Sequence, residues 1–327
     1  MVLALGFAAG LAVVLGTGSL HPIRAQEPSP GRQDSESGPS VQQGPDQPAI
    51  EEPESDVEPK REGPRREPRF LPPRLRPKEL TPEELSEAER LKNLAARFGT
   101  DPTAIVSRVQ LSSQYADLPQ GARVSETVAR VDLAFRGNWL LRADAPFLRW
   151  SDPNRPGTTS AQGASDLAVI AGWRAYNQPE YAFFIAALST FPTAAEGGLG
   201  LGKYTVGPLI ATARFLPRWE SFLFGVFQHQ LSVGGDPARQ AVEFTQASVQ
   251  INTIWVEQWW TTVQGVWRVD WERNAKSYMT LEFETGRNLG GGLGIFARPG
   301  VGIWGQSVPG AYDWNVEVGI RRVFGSF

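Results

Sequence analysis

Ionisable residues stand at even spacing in three apolar stretches of the chain. They are Arg268 and Asp270, Glu282 and Glu284, and Glu317 and Arg321. Because successive side chains of a strand point to opposite faces, the members of each pair share one face. Charges on a strand face that is enclosed by other strands are stable when they pair or contact water. These six residues therefore predict a charged interior, which they either fill as inter-strand ion pairs or line as a path for solutes.

Hydrolysis is an alternative chemistry, because a serine and a histidine can together hydrolyse ester bonds, including those of lipids. His229 lies close to Ser232 in the sequence. A triad also needs an acid that orients the histidine, and none stands at a defined spacing from His229. We therefore expect His229 to be a polar residue near a strand end and the chain not to be an enzyme.

The sequence lacks the residues that several other kinds of chemistry require. The absence of Cys excludes disulfides, thiolate metal sites and an acylated lipoprotein cysteine. The glycine-rich runs 197–202 and 290–292 lack the Lys-Ser/Thr of a phosphate loop, and no metal ligands occur at organised spacing. We predict no cofactor and no metal. A net charge of -3 gives no basic surface for nucleic acid, so we also predict no nucleic-acid partner.

The elements that position the six charges are strands. In 259–272 an apolar face with Trp259, Val263 and Trp267 alternates with a face that carries Gln264 and Arg268. Similar alternation occurs in 131–136, 279–284 and 314–321. One oily and one wet face are typical of strands between lipid and an aqueous lumen. The pattern predicts an all-β, transmembrane antiparallel up-and-down β-barrel over 104–327.

Turn signals divide this region into runs of roughly 10 to 14 residues, the length of a tilted membrane strand. The predicted tight turns are 177–180, 217–219, 273–276 and 287–290. Longer polar loops at 151–163, 192–203, 234–239 and 306–313 are expected to alternate with them and face outward. The count predicts about twelve strands, an even number that puts both chain ends on the periplasmic side.

Tryptophan is frequent, with 11 residues in the chain. Those expected near strand ends are Trp150, Trp173, Trp219, Trp255, Trp259, Trp271 and Trp314. An indole has an apolar body and a polar N–H group, so it favours the boundary between lipid and water. The alternative is a soluble β-sandwich or lipocalin-like barrel, in which so much aromatic surface at both strand ends is not expected.

Loose motifs between residues 111 and 324 suggest a family. They are Arg142–Pro146, Gly163–Asp166, Phe191–Thr193 with Gly200–Lys203 and Gly207–Pro208, and the closing Gly319–Phe324. With these motifs the chain resembles the outer-membrane transporters linked to meta-cleavage phenol degradation. The resemblance implies a barrel of twelve-stranded type and passive uptake or efflux of small, often apolar or aromatic, molecules.

A short helix is predicted at 81–99, before the barrel. Thr81 caps it, Pro82 takes the first helical position and Glu84 completes a capping box, while Gly99 ends it. An apolar stripe needs a partner and consists of Leu85, Ala88, Leu91, Ala95 and Phe98. We expect the helix to dock at the periplasmic rim; a plug in the lumen and self-association are the alternatives.

The first 80 residues have two compositions. Residues 2–18 are apolar, and the small residue Ala25 precedes Gln26, which predicts a signal peptide at 1–25; a retained membrane anchor is the alternative. Residues 26–80 are rich in Pro, Glu, Arg, Ser and Gln and predict a disordered periplasmic linker. Its later basic cluster, which begins at Lys60 and Arg61, leaves two alternatives: a solvated linker without partners, or contact with peptidoglycan or an acidic periplasmic partner.

We expect the barrel-assembly machinery to recognise the C-terminal strand through its alternating aromatic residues. Phe324 shares a face with Trp314 and Ile320, whereas Phe327 falls on the other face. The signal therefore ends either at Phe324 or, after a bulge at Gly325, at Phe327.

Three functions agree with these features. The first is an outer-membrane barrel in contact with lipid that transports small, apolar or aromatic solutes passively. The second is a structural anchor whose Pro-rich arm contacts the cell wall. The third is a lipid-acting hydrolase, which would depend on His229.

Overall fold

The computed structural model describes residues 81–255, 258–305, 308 and 310–325. The predicted signal peptide and Pro-rich linker lie outside these residues. The helix α1 spans Pro82–Phe98, and the strands are β1 Ser107–Asp117, β2 Arg123–Phe135, β3 Trp139–Asp152, β4 Ala161–Gly163, β5 Leu167–Asn177, β6 Tyr181–Phe191, β7 Lys203–Leu216, β8 Ser221–Gly235, β9 Glu243–Trp255, β10 Trp259–Asp270, β11 Lys276–Gly290, β12 Leu293–Trp304 and β13 Trp314–Phe324.

Twelve of these strands form a closed antiparallel barrel. Each pairs with its neighbours along the chain, and β1 pairs with β13 from Ser107 opposite Phe324 to Asp117 opposite Trp314, which closes the ring. The three-residue strand β4 pairs with β3 within a connection and adds no wall. Closure satisfies the backbone of every wall strand by its neighbours. The predicted up-and-down barrel of about twelve strands is confirmed.

The connections differ between the two ends of the barrel. At the turn end, where both β1 begins and β13 finishes, they are two to four residues long and comprise 136–138, 178–180, 217–220, 256–258 and 291–292. At the loop end they are longer and comprise 118–122, 153–166, 192–202, 236–242, 271–275 and 305–313. The predicted alternation of tight turns with longer loops therefore holds for most connections.

One predicted turn position is wrong, and a second predicted turn lies at the other end of the barrel. Residues 287–290 belong to β11, and the chain reverses at Gly291 and Gly292, whose φ angles are 59° and 76°. Glycine adopts this left-handed backbone without the steric cost of a Cβ, which places the turn after the strand. The turn at 273–276 lies at the loop end, and β10 already finishes at Asp270, so that Trp271 belongs to a single 3-10 turn.

The alternation seen in the sequence separates the two surfaces of the barrel. Val263, Leu281 and Phe283 face outward and are exposed, whereas Thr262 and Glu284 on the same strands face inward and are buried. Each strand thus presents apolar side chains outside and polar or packed side chains inside. Exposed tryptophans occur at both ends; the pair Trp139 and Trp173 at the turn end has ring centroids 6.5 Å apart.

The predicted helix is confirmed together with its caps. The Thr81 hydroxyl accepts a hydrogen bond from the backbone N–H of Glu84, the Glu84 carboxylate accepts one from Thr81, and Gly99 has left-handed geometry with a φ of 67°. Within the described part of the chain, no helix is both long and apolar enough to cross a membrane.

The helix reaches further into the barrel than the expected docking at its rim. Arg90 pairs with Glu220 at the turn end, and Leu85 stays exposed. The opposite end of the helix is enclosed: Phe98 packs on the inward-facing Trp260, with 5.9 Å between ring centroids. Leu91, Ala95 and Phe98 join a core cluster with inward-facing residues of seven wall strands, among them Leu140, Phe184, Phe215, Phe222, Ile254, Trp260 and Phe296. This arrangement matches the alternative of a plug. The barrel interior at the turn end is apolar, and the apolar stripe of α1 is buried against it.

Candidate functional site: the barrel interior

The interior next to the helix contains a chamber of about 160 Å³. Its floor is the segment after α1, with Gly99, Thr100 and Pro102, and its walls are inward-facing side chains of β1–β3 and β8–β13. Charged side chains gather on the part of the wall that runs from β11 through β13 and β1 to β3. Two networks of ion pairs build this charged wall.

Arg298 is the centre of the first network. Its guanidinium contacts Glu284, with 3.0 Å between Nε and Oε2, and Glu317, with 3.1 Å between Nη1 and Oε2. Glu282 lies at 4.0 Å, the limit of an ion pair. Arg321 binds the other oxygen of Glu284 at 2.6 Å. Four of the six candidates from the sequence, Glu282, Glu284, Glu317 and Arg321, therefore meet around an arginine that sequence reasoning missed.

Asp132 is the centre of the second network. It, too, was not among the candidates from the sequence. Arg108 of β1 and Arg142 of β3 bind its two carboxylate oxygens, at 2.6 and 2.7 Å. Arg130, two residues before Asp132, forms a bidentate pair with Asp144 at 2.5 and 3.0 Å. Arg130 with Asp132 and Arg142 with Asp144 have the same spacing of two as the original candidates, so the same signal could have found them.

The charges of the two networks balance. The cations are Arg108, Arg130, Arg142, Arg298 and Arg321, and the anions are Asp132, Asp144, Glu282, Glu284 and Glu317, five of each. Burying a charge is costly unless a partner of opposite sign and hydrogen bonds compensate it. Balanced pairing makes this wall polar without giving it a strong preference for anions or cations.

The remaining two candidates lie nearer the loop end. Arg268 donates from Nε and Nη2 to Oε1 of Gln246, at 2.9 and 2.6 Å, and lies over the ring of Phe244 at 4.1 Å. Asp270 pairs with Arg273 at 2.6 Å. Neither joins the two networks around the chamber, so the six candidates fall into two separate places on the inner wall.

The opposite part of the inner wall is apolar. Inward-facing positions on β5, β6 and β7 carry Ala168, Ile170, Gly172, Ala182, Phe184, Ala186, Leu188, Leu209, Ala211, Ala213 and Phe215. Near the turn end this apolar wall packs against α1, and further along Ala186 and Leu209 are only partly buried. The interior therefore has a charged wall and an apolar wall that face each other.

Two ionisable groups next to the chamber have shifted pKa values. Asp101, directly after the helix, is buried, and burial raises its pKa, although Thr103 donates two hydrogen bonds to its Oδ1. Lys92 donates a hydrogen bond to the side chain of Asn177, the last residue of β5. It donates a second one, of 2.6 Å, to the carbonyl of Gln178 in the connection 178–180. Burial lowers the pKa of Lys92 to about 8. Both shifts reflect the enclosure of the helix.

The side chain of Tyr312, in the connection between β12 and β13, contacts the charged wall of the interior. Its hydroxyl donates to Oε1 of Glu282 at 2.7 Å. Burial and the nearby negative charge of Glu282 raise the pKa of Tyr312, so the phenol stays protonated and remains a donor. Glu282 thereby joins the charged wall to the loop end of the barrel.

The two residues of the hydrolase alternative do not form a pair. Nδ1 of His229 lies 2.9 Å from the Thr245 hydroxyl on the outward face of β8 and β9. Ser232 lies on the opposite face of β8, and its hydroxyl accepts a hydrogen bond from the backbone N–H of Val242. A nucleophilic serine needs a base within hydrogen-bond reach, and His229 does not provide it here.

Two of the sequence motifs hold the long connections at the loop end together. The carboxylate of Asp166 accepts from the backbone N–H of Ala194 at 3.1 Å and of Leu201 at 2.5 Å. Gly200 leaves room for this contact, because a Cβ there would lie 2.3 Å from Oδ1 of Asp166. These motif residues are thus structural, and they fix the connection 192–202 beside the barrel opening.

Among the described residues, no cluster of His, Cys, Asp and Glu could hold a metal ion. No protein-family model and no curated relative matches the sequence. The fold is similar to that of the COG4313 outer membrane channel from Pseudomonas putida F1, with a TM-score of 0.53, 10% identity, and coverage of 68% of this chain and 99% of that one. The KdgM porin (TM-score 0.47, 6% identity, 66% and 99% coverage) and the NanC porin (0.47, 8%, 66% and 98%) are also similar. At these identities the likeness concerns the fold of a closed membrane-type barrel.

Proposed function

We propose that this chain is an outer-membrane channel through which small solutes cross passively. The observation that carries the proposal is the reversal of polarity in a closed barrel, with an apolar exterior around a charged and partly hollow interior. The exterior suits lipid, because charged residues on a lipid-facing strand are destabilising whereas Val, Leu, Ile and Phe are favourable. In this arrangement the turn end and α1 face the periplasm and the loop end faces outside.

Aromatic residues at both ends support the membrane assignment. Trp139, Trp219 and Trp255 are exposed at the turn end, and Trp304 and Trp314 are exposed at the loop end. Two such belts are typical of a barrel held between two headgroup layers. The C-terminal strand β13 finishes with the outward-facing Phe324, which supports recognition of this strand by the barrel-assembly machinery.

The apolar wall of β5–β7 supports solutes with an apolar or aromatic body. Such a solute would pass with its apolar part against Ala186 and Leu209 and its polar part toward the chamber. The narrower assignment to the transporters linked to meta-cleavage phenol degradation belongs to the same proposal. The six candidates Arg268, Asp270, Glu282, Glu284, Glu317 and Arg321 are then side chains that line or narrow the path.

Conductance of the full chain in planar bilayers tests the proposal. Glu282→Gln removes one charge beside the chamber and is expected to change single-channel conductance and ion selectivity. Leu281→Ala, at the neighbouring outward-facing position, is the matched control and should leave both unchanged. The proposal fails if the wild-type protein gives no conductance and Glu282→Gln alters only thermal stability.

A structural anchor is the second candidate, favoured by the helix that lies inside the barrel and by the ion pairs that occupy much of the interior. In that case the chain holds the outer membrane to the cell wall through its Pro-rich arm, residues 26–80. Binding of the full chain to purified peptidoglycan, together with the absence of solute uptake into liposomes, would favour the anchor. Uptake without peptidoglycan binding would favour the channel.

A further inference from the structure

A second cavity, of about 250 Å³, opens at the loop end of the barrel. We call it the outer cavity and define it by Leu201, Arg239, Phe244, Arg268, Asp270 and Arg273, which line it together with neighbouring backbone. These residues come from the connections 192–202, 236–242 and 271–275 and from the loop ends of β9 and β10. Sites for drug-sized ligands usually measure roughly 300 to 1,000 Å³, so this cavity suits a smaller solute.

The outer cavity has an excess of positive charge. It is lined by three arginines but by two carboxylates, those of Glu243 and Asp270. Asp270 already pairs with Arg273 at 2.6 Å, and Glu243 begins β9 with its carboxylate 3.9 Å from Nε2 of the outward-facing His229. The positive charge that remains belongs to Arg239 and Arg268.

Within the described residues, neither of these arginines forms an ion pair with a carboxylate. The hydrogen bonds from Arg268 go to the neutral amide of Gln246. The side chain of Arg239 packs closely on two glycines of the connection 192–202. A Cβ added at Gly197 would lie 2.7 Å from Nη2 of Arg239, and one added at Gly202 would lie 2.9 Å from its Cγ. The five arginines of the chamber, by contrast, all have carboxylate partners. Of these two cavities, the outer cavity is therefore the one that offers an anion a guanidinium without a carboxylate partner.

The same cavity offers an apolar surface and an acceptor. The ring of Phe244 is stacked under Arg268 at 4.1 Å, and Leu201 is exposed in the connection above. Oδ1 of Asp270 is buried and has no hydrogen-bond partner among the described residues. A buried polar atom without a partner is costly, and a hydroxyl donor on a ligand would relieve that cost.

We propose that the outer cavity is a binding subsite for small carboxylates with an apolar or aromatic body, whose carboxylate lies between Arg239 and Arg268. Planar guanidinium groups match a carboxylate in shape and charge, and Phe244 and Leu201 contact the apolar part. A hydroxyl group on the ligand would donate to Asp270. This inference rests on the proposed channel function, in which the cavity would be the first stop of a solute that arrives from outside.

Binding to the detergent-solubilised full chain tests the subsite without transport. Calorimetric titration should show binding of benzoate, tighter binding of a hydroxybenzoate, and at least tenfold weaker binding of the uncharged benzamide. Arg268→Gln and Arg239→Gln should each weaken benzoate binding at least tenfold, the loss expected for a hydrogen bond to a charged group. Arg218→Gln, at the turn end, is the control and should bind benzoate like the wild type.

Several outcomes would overturn the proposal. Equal affinity for benzoate and benzamide would exclude carboxylate recognition, and equal affinity for inorganic phosphate and benzoate would exclude the apolar contact. Unchanged benzoate affinity in both arginine variants would place binding elsewhere. Heat-modifiable gel migration identifies folded variants, and Arg239, in a connection outside the barrel wall, still tests the site if Arg268→Gln does not fold. Benzoate binding without conductance would support the subsite and contradict the channel function. Conductance without benzoate binding would support the channel function and contradict the subsite.

Discussion

Arg108 and Arg321, on the two strands that close the barrel, donate to the same carbonyl oxygen, that of Gly99 at the end of α1. The distances from their Nη1 atoms are 2.6 and 2.9 Å. Arg108 belongs to the network of Asp132 and Arg321 to that of Glu284, so one carbonyl connects both networks. The carbonyls at a helix C-terminus carry partial negative charge, which two guanidinium groups complement. The charged wall therefore holds the helix in place as well as shaping the chamber.

Replacing Arg321 with lysine should loosen the helix. A lysine keeps the positive charge but lacks the planar fork that reaches Gly99 and Glu284 together. We expect docking of α1 to weaken by about 1.5 to 3 kcal/mol, the scale of one hydrogen bond to a charged group. Faster trypsin cleavage at the helix, with an intact heat-modifiable barrel, would report the change. Arg322→Lys, at the next and outward-facing position, is the control; equal cleavage of the two variants would contradict the role of Arg321.

Removing the ring of Phe98 should open the turn end. Phe98 is almost fully buried against Trp260, and a Phe→Ala change in a core costs about 3 kcal/mol or more. We expect Phe98→Ala to increase single-channel conductance severalfold because the helix leaves the barrel more often. Leu85→Ala, on the same helix but at a residue that is 39% exposed, should conduct like the wild type. A Phe98→Ala channel with unchanged conductance would mean that α1 does not limit the path.

The barrel itself was predictable because its signal is periodic. Alternation on β10 and β11 follows from lipid outside and a packed or wet interior, and it specifies which face each side chain takes. The caps of α1 were predictable for a similar reason, since the side chain of Thr81 satisfies a backbone donor that the helix itself leaves free. Both are local properties of the chain.

Partnerships across the barrel were not predictable. Arg298 precedes Pro299 in a strand interrupted by glycines, which obscures its alternation, and its partners come from β11 and β13. Trp260 falls on the inward face by parity, but its contact with Phe98 depends on how the barrel closes. Space for its ring comes from Gly286, where a Cβ would lie 2.0 Å from Trp260. Such matches join residues far apart in sequence, so no single segment contains them.

Asp101 should make docking of the helix depend on pH. Burial raises the pKa of this carboxyl above its ordinary value of 3.8, so the folded state binds the proton more tightly than the unfolded state. The resulting stability is fully present below the ordinary pKa and is lost as the pH rises through the folded-state pKa. Asp101→Asn removes this loss and keeps an oxygen that accepts from Thr103. We therefore expect it to stabilise docking at neutral pH.

Hydrogen exchange of the α1 amides, compared between wild type and Asp101→Asn near pH 5 and pH 8, measures this effect. The variant should protect the helix more strongly at pH 8, and the difference should shrink at the lower pH. Asp236→Asn is a matched control, because Asp236 also accepts from a backbone N–H two residues on, that of Ala238 at 2.9 Å, but is exposed. Weaker protection of α1 in Asp101→Asn at pH 8 would show that the ionised carboxylate is needed.

Neighbouring positions on β10 offer a test of which surface contacts lipid. Val263 faces outward and is 43% exposed, whereas Gln264 faces the chamber opposite Glu282. A lysine on the lipid face of a barrel costs about 2 to 4 kcal/mol near the middle of the bilayer. Val263→Lys should therefore lower the free energy of unfolding from vesicles by that amount, measured by urea titration of the heat-modifiable form. Gln264→Lys places the same charge beside a carboxylate and should fold nearly as well as the wild type. Equal folding of both variants would mean that the exterior is not in lipid.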